Sequence, residues 1–204
     1  MARVVAYIDG FNLYHAIDDL GSPHLKWLDL WSLCKDLLKD GDTLEAVNYF
    51  SAYYTANPKR HRRHERYVAA LEAQGVTVHL GIFKRKTVYC QGCKNTSPAW
   101  EEKETDVHLA VRMVADAFQD KFDKAILISA DSDLLPPVRT IRSCVPGKNI
   151  FVVAPPKRMG RARALQAAYE IPKGKVNRNL LPKEITLNGG KKIVRPDRYD
   201  PPQA

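Results

Sequence analysis

The chain has 204 residues, 45% of them hydrophobic and 27% charged, which is enough for one domain with a real core. No apolar run approaches the roughly 20 residues of a membrane span, and Met1 to Val5 lacks a signal-peptide pattern, so the expected setting is soluble and cytoplasmic with no membrane partner. The net charge of +9 is uneven: residues 157–204 carry 12 Lys/Arg against 4 Asp/Glu, whereas residues 1–156 come to only +1.

"RVVAYI" reads as a buried strand that stops at Asp9. "LWSLCKDLL" (30–38) reads as a helix and "AVNYFSAYY" (46–54) as a strand rich in aromatics. Residues 59–74 read as a helix whose exposed face carries the basic run "KRHRRHER". That run and the basic tail favour a polyanion through counterion release, although basic faces also serve solubility alone. "VTVHLGIF" (76–83) is a strand that follows the helix stop at Gly75. The segment 84–104, "KRKTVYCQGCKNTSPAWEEKE", breaks the pattern and suits a hairpin or a knuckle. Residues 106–118 give an amphipathic helix with Val107, Ala110, Val111, Val114 and Phe118 on one stripe. A strand (124–129), a helix (134–144), a strand (149–154) and a short helix (158–168) follow. In the tail, "EITLNGGKKIVRP" suits a hairpin around "NGG", and "DRYDPPQA" reads as disordered.

Strands alternating with helices predict an α/β fold with a mostly parallel central sheet and helices on both faces. The expected organisation is a body at 1–170 and a basic C-terminal extension at 171–204.

In open α/β sheets, ligands sit outside the carboxyl ends of strands where the strand order reverses. Asp9 lies at one such end, and "ILISADSDLLPP" places Asp131 and Asp133 at another. If the two strands are neighbours, three carboxylates share a crevice, and Asp106 at the start of a helix adds a fourth. Clustered carboxylates repel one another unless something neutralises them, and the natural neutraliser is a hard divalent cation such as Mg²⁺ or Mn²⁺. Ordinary structural roles compete with this. Asp133 or Ser132 could be a helix N-cap before Leu134, Asp106 first-turn dipole decoration, and Asn12 a cap or turn residue. Asp116 lies ten residues beyond Asp106, about 15 Å along a helix axis, and cannot share that ion. His108, two residues from Asp106, points to the opposite side.

The four cysteines, Cys34, Cys90, Cys93 and Cys144, argue for thiols or a metal site and not a disulfide framework. "CQGC" at 90–93 could supply two ligands to a structural Zn²⁺. Cys34, Cys144 and His79 are candidate completions, as is the same pair from a second copy in a homodimer. Reduced thiols or a redox pair are the competing readings.

"YIDGFNLYHA", "EEKETDVHLAVRMVADA" and "ILISADSDLLPPVRTI", in this order, resemble the NYN domain of the PIN-like nuclease superfamily, nearest its bacterial LabA-like group. The resemblance spans residue 3 to about 155 and extends to "NLLP" in the tail. It implies a Rossmann-like sheet and a metal-dependent ribonuclease site, with Asp9, Asp106, Asp131 and Asp133 as its acids and Asn12 as their polar companion. One departure is Arg112, where members of the group often carry an acid. Six residues past Asp106 is about 9 Å along the helix, so Arg112 is expected outside the metal shell, on RNA or paired with Asp116.

The expected activity is hydrolysis of RNA phosphodiesters, single-stranded RNA first, with Mg²⁺ or Mn²⁺ activating a water. Asn12 would orient a water or a phosphate oxygen. Lys103 would reach the scissile phosphate, unless it is only a solvated lysine. Arg60, Arg62, Arg63 and the tail would grip the backbone. Tyr7, Phe11 and Tyr14 are candidates for base stacking, with core packing the competing role for Tyr7 and Phe11. The alternative is an RNA-binding or regulatory module with a weak or inactive site, which Arg112 favours. A phosphatase with a nucleophilic aspartate is disfavoured because Phe11 stands where its second acid would be. A dinucleotide enzyme is disfavoured because no G-x-G-x-x-G follows a strand.

Overall fold

The computed structural model describes residues 1–187 and 189–202. In chain order its elements are β1 (Arg3–Asp9), α1 (Gly10–Asp18), α2 (Leu30–Lys35), β2 (Thr43–Ala52), α3 (Pro58–Ala73), β3 (Thr77–Tyr89), β4 (Thr96–Lys103), α4 (Thr105–Phe118), β5 (Lys124–Ile128), α5 (Leu135–Cys144), β6 (Asn149–Ala154), β7 (Tyr169–Glu170), α6 (Lys173–Arg178), β8 (Glu184–Thr186) and β9 (Lys192–Val194). The first seven strands form one sheet in the order β4-β3-β2-β1-β5-β6-β7. Every pairing in it is parallel except β3 with β4.

The apolar run of β1 lies at the centre of this sheet and is buried on both faces, as a central parallel strand should be. Val4, Ala6 and Ile8 face one core with Leu13, Trp27, Leu33 and Leu71. Val5 and Tyr7 face the other with Leu109, Met113 and Ile141. The predicted α/β class, parallel sheet and two helical layers are what the chain adopts. β1 pairs with β5 directly, Ile8 opposite Ile128, so the two acid-bearing strand ends are neighbours. The connection leaves toward β2 on one side and β5 on the other, which makes this gap the switch point.

Local departures have local reasons. Residues 10–18, unassigned from sequence, form α1. The segment 84–104 is the far part of a long β3–β4 hairpin whose tip is exposed. Residues 158–168 hold only a 3₁₀ turn at Arg161–Arg163, and Gln166 at φ 58° cannot continue a helix. Helix α4 forms where predicted but is rotated. Val107, Val111 and Phe118 are 63%, 62% and 59% exposed, whereas Leu109, Met113, Asp116 and Ala117 face the sheet. Both stripes are apolar, so periodicity alone cannot choose between them. On the sheet side Asp116 meets the Tyr7 hydroxyl.

The tail differs most from expectation. Ile171, Val176, Leu181, Ile185, Ile193 and Tyr199 belong to the same hydrophobic cluster as β1. Leu181 N–H donates to Trp27 O at 2.9 Å, and Trp27 Nε1–H donates to Pro182 O at 2.9 Å. The hairpin forms as β8 and β9, though Asn188 of "NGG" lies outside the described residues. "DRYDPP", expected to be disordered, holds a helical turn at Asp197–Tyr199 that buries Tyr199. Gln203 and Ala204 lie outside the described residues. Much of the basic charge is also committed. Arg158 pairs with Asp19, Lys175 and Arg178 with Asp36, Lys192 with Glu184, and Arg195 with Asp200. Among the described residues, no helix is long and apolar enough to cross a membrane.

Candidate active site

Asp9 ends β1 and caps α1. Its Oδ1 accepts the Asn12 N–H at 3.0 Å, the ordinary N-cap bond of a strand-to-helix turn. Gly10 follows because a Cβ there would lie 2.5 Å from the Phe50 carbonyl oxygen and 2.7 Å from the Tyr49 ring. Only glycine lets α1 begin so close to β2.

The other oxygen of Asp9 reaches across to β5. Ser129, fully buried, donates its hydroxyl to Asp9 Oδ2 at 2.7 Å and accepts the Asp131 N–H at 3.0 Å. Asp131 in turn caps the 3₁₀ turn at 132–134, with its Oδ1 accepting the Asp133 N–H at 3.0 Å. The cap is therefore Asp131, not Ser132 or Asp133. Asn12 closes the circuit: its Oδ1 accepts the Ala130 N–H at 3.1 Å. The loops after β1 and β5 are thus sewn together by three polar side chains.

A fifth acid arrives from the hairpin. Glu102, near the end of β4, accepts the Thr105 N–H at 2.9 Å and the Thr105 hydroxyl. Glu104 turns the corner into α4 at φ 80°. Gly81 of β3 lets that corner approach, since a Cβ on it would sit 2.6 Å from Lys103 O and 2.7 Å from Thr105 Oγ1. Asp106 follows in the first turn of α4.

The acids feel one another. The Asp9 carboxyl stands at about 6, above its ordinary value, with burial the first cause. The bonds from Asn12 and Ser129 pull it down, and the charges of Asp131 and Glu102 push it further up. Asp106 is pushed up to about 7, by burial first, then by Asp9, Asp131, Glu102 and Asp133. Among the described residues, no Lys, Arg or His forms an ion pair with any of the five. All five are oxygen donors, the chemistry a hard divalent cation requires. As placed, however, no three His, Cys, Asp or Glu side chains among the described residues are gathered at the spacing of one ion's ligands. The donor chemistry fits such a cation.

The remaining candidates fall elsewhere. Lys103 alternates with Glu102 along β4 and pairs with Glu101 at 3.1 Å, outside the acid group. Arg60, Arg62 and Arg63 lie on α3 and have no ion-pair partner among the described residues. Arg112 pairs with Asp116 at 2.8 Å, as the i,i+4 spacing predicts. Tyr7 is fully buried and donates to Asp116 at 2.8 Å, so it is core, while Phe11 packs edge-on to Phe83 and Tyr14 is exposed. Cys90 and Cys93 are exposed at the hairpin tip, and N–H and S–H bonds from Gly92 and Cys93 lower the Cys90 thiol. The proposed zinc completions are placed otherwise. Cys34 is buried in α2, Cys144 ends α5, and His79 bonds Asn48 at 3.0 Å. Ser129, Glu102 and Thr105 escaped the sequence reading. A lone serine at the end of a buried strand, and an acid four residues before Asp106, were the available signals.

The profile of the NYN domain family matches residues 3–171. The chain belongs to the NYN domain family. NYN domains form part of the PIN-like superfamily, whose fold is of nuclease type. A search of curated proteins finds no match. Among solved structures, a Vibrio parahaemolyticus protein of unknown function is similar over 88% of this chain and 96% of its own. It has a TM-score of 0.55 and 17% identity, a likeness of fold.

Proposed function

We propose that this NYN domain is a metal-dependent ribonuclease that hydrolyses phosphodiester bonds, with single-stranded RNA as substrate and Mg²⁺ or Mn²⁺ as cofactor. The observation that carries the reading is the convergence of Asp9, Glu102, Asp106, Asp131 and Asp133 at the switch point, with no ion-paired cation among the described residues. Asp9, Asp106, Asp131 and Asp133 would hold the ion, with Glu102 beside them. When bound, the ion supplies Lewis-acid polarisation of the phosphate and a water of lowered pKa. Asp133 is exposed and Asp106 and Asp131 half-buried, so these side chains have room to close on a cation.

The protein's own contribution is alignment. Asn12 N–H and the Ser129 hydroxyl fix both oxygens of Asp9, and Ser129 ties Asp131 to the same frame. Asn12 spends its oxygen on Ala130 N–H, so we assign it to positioning the two loops. Arg60, Arg62 and Arg63, unpaired among the described residues, would contact the RNA, Arg60 and Arg62 through its backbone. Residues 1–170 are taken as the nuclease domain and 171–204 as an extension folded onto it.

The binding-only reading rests on Arg112. With its guanidinium on Asp116, Arg112 has no contact with the acid group and gives that reading no support. The test is cleavage of a labelled single-stranded RNA by purified protein with Mn²⁺, Mg²⁺ or chelator. Tight binding without cutting, across metals and substrates, would overturn the proposal.

A further inference from the structure

Beside the acid group, across α1, lies a cavity of about 260 Å³ that none of the five acids lines. Gly10 and Tyr49 are in its wall, and Tyr49 is raised to about 12, chiefly by burial and in part by the charge of Asp9. Gly10 is the chain neighbour of Asp9, so the cavity lies next to the end of β1. It is smaller than the roughly 300 Å³ at which drug-sized ligand sites begin, a volume suited to one planar ring.

Its lining mixes aromatic rings with polar groups. Phe11 and Tyr54 flank Phe83 edge-on, with ring centroids 5.6 and 5.2 Å away. His64 Nε2 meets Ser51 Oγ at 3.3 Å, and burial, with His61 adding to it, pushes His64 down to about 4, so it is neutral at pH 7. Arg63 lines the cavity too, and its Nε–H is the one buried side-chain donor among the described residues with no acceptor. That Nε–H is shut off from solvent, so an acceptor in the cavity would meet the Nη groups of Arg63, whose side chain makes no ion pair among the described residues. Arg60 stands exposed at the rim with no ion pair among the described residues.

We infer that this cavity is a subsite for one nucleobase of the RNA strand, stacked on the aromatic wall with a carbonyl on its edge accepting from Arg63. Arg60 then meets the phosphate beside that base. Stacking alone tolerates every base, since each has a π-face. Arg63 adds a choice with the size of the cavity: uracil is a single ring with carbonyls projecting from its edge, whereas adenine is a double ring whose acceptors are in-ring nitrogens. A uracil-bearing strand is therefore preferred over an adenine-bearing one. The inference rests on the nuclease reading for its substrate, but its test does not depend on cleavage.

The experiment measures binding of fluorescein-labelled U8 and A8 RNA to the Asp131→Asn protein in chelator, by anisotropy. U8 should bind more tightly, on the order of tenfold. Arg63→Leu should abolish the preference, and Tyr54→Ala should weaken both probes at least fivefold. Lys121→Leu, which removes the same charge at the opposite end of the sheet, should leave the preference intact. Melting temperatures check that each variant is folded. A U8 preference unchanged in both Arg63→Leu and Tyr54→Ala would overturn the subsite. So would free UMP competing as well as U8, which would assign the cavity to a free nucleotide. Irradiated 5-iodouracil RNA should crosslink within residues 49–67 or at Phe83, and crosslinks confined to other surfaces would also overturn it. A protein that never cuts RNA yet shows the Arg63-dependent preference keeps the subsite and loses the nuclease. Cutting with no such preference does the reverse.

Discussion

Asp9 and Asp116 are 3% and 4% exposed, yet their surroundings differ in kind. Asp116 has a hydroxyl from Tyr7 at 2.8 Å and a guanidinium from Arg112 at 2.8 Å. Its charge is compensated within the protein, which is how a buried carboxylate serves structure. Asp9 has an N–H and a hydroxyl, but the other ionisable groups acting on it are acids. A fold that retains an uncompensated acid group keeps it against a standing electrostatic cost, and a cation from solution removes that cost. Burial alone does not separate these two acids; the sign of their neighbours does.

The sharpest way to break the comparison is catalytic. Asp131→Asn should lower the cleavage rate at least about a hundredfold while RNA binding is kept or improved, because a ligand and a repulsive charge leave together. Tyr7→Phe, at the compensated acid, should leave the rate per folded molecule unchanged. Cleavage that survives Asp131→Asn would mean a contaminating nuclease or a misplaced site.

The next effect is on stability against pH without metal. An acid whose folded-state pKa is raised favours folding while protonated. That contribution is full below the ordinary value of 3.8 and is lost as pH climbs through about 6 for Asp9 and about 7 for Asp106. For the deeply buried Asp9 the loss is on the order of 3 kcal/mol. The melting temperature in chelator should therefore fall between pH 5 and pH 8, and Asp9→Asn should flatten the fall. A flat profile in the unmodified protein would mean that the carboxylates are compensated after all.

Metal should then restore what pH removes. At about 100 times its Kd, Mn²⁺ should stabilise the protein by about 2.7 kcal/mol through mass action. Thermal shifts at pH 7.5 should show this gain vanish in Asp9→Asn. Tyr7→Phe should keep the metal-induced gain but lower the baseline by about 2 kcal/mol, the cost of a hydrogen bond to a buried charged group. Equal metal stabilisation of wild type and Asp9→Asn would dissolve the distinction between the two aspartates.

The smallest effect concerns the basic surface. Replacing Arg60, Arg62 and Arg63 together should flatten the salt dependence of RNA binding, with the slope falling by at most about 0.7 for each phosphate no longer neutralised. A salt titration of binding that keeps the wild-type slope would make the α3 arginines solubility features. Deleting residues 172–204 is not an equivalent test, because it also removes Val176, Leu181, Ile185, Ile193 and Tyr199 from the core.

What the sequence determined by itself is the part written in short-range pattern. The run Val4–Ile8 ending in Asp9, and Ile126–Ile128 followed by Asp131 and Asp133, specify strands that carry acids at their carboxyl ends. Alternation with helices then makes those strands parallel and brings the ends to one side of the sheet. The pairing of Arg112 with Asp116 is likewise fixed by helical spacing. The tertiary structure decided what depends on distant partners. Ser129 became the bridge between Asp9 and Asp131 only because β1 and β5 are adjacent, 120 residues apart in the chain. Glu102 joined the acids because a long hairpin returns it beside α4. Helix α4 had two apolar stripes, and the one that faces the sheet buries Leu109, Met113 and Ala117 and brings Asp116 to Tyr7. The tail, whose composition suggests a loose basic arm, became part of the core because Trp27, Asp36 and the β1 face offered apolar surface and carboxylates that its own sequence could not reveal. Local pattern sets which way each side chain can face. Which facing is rewarded is settled by partners far along the chain, and those exist only once the sheet has assembled.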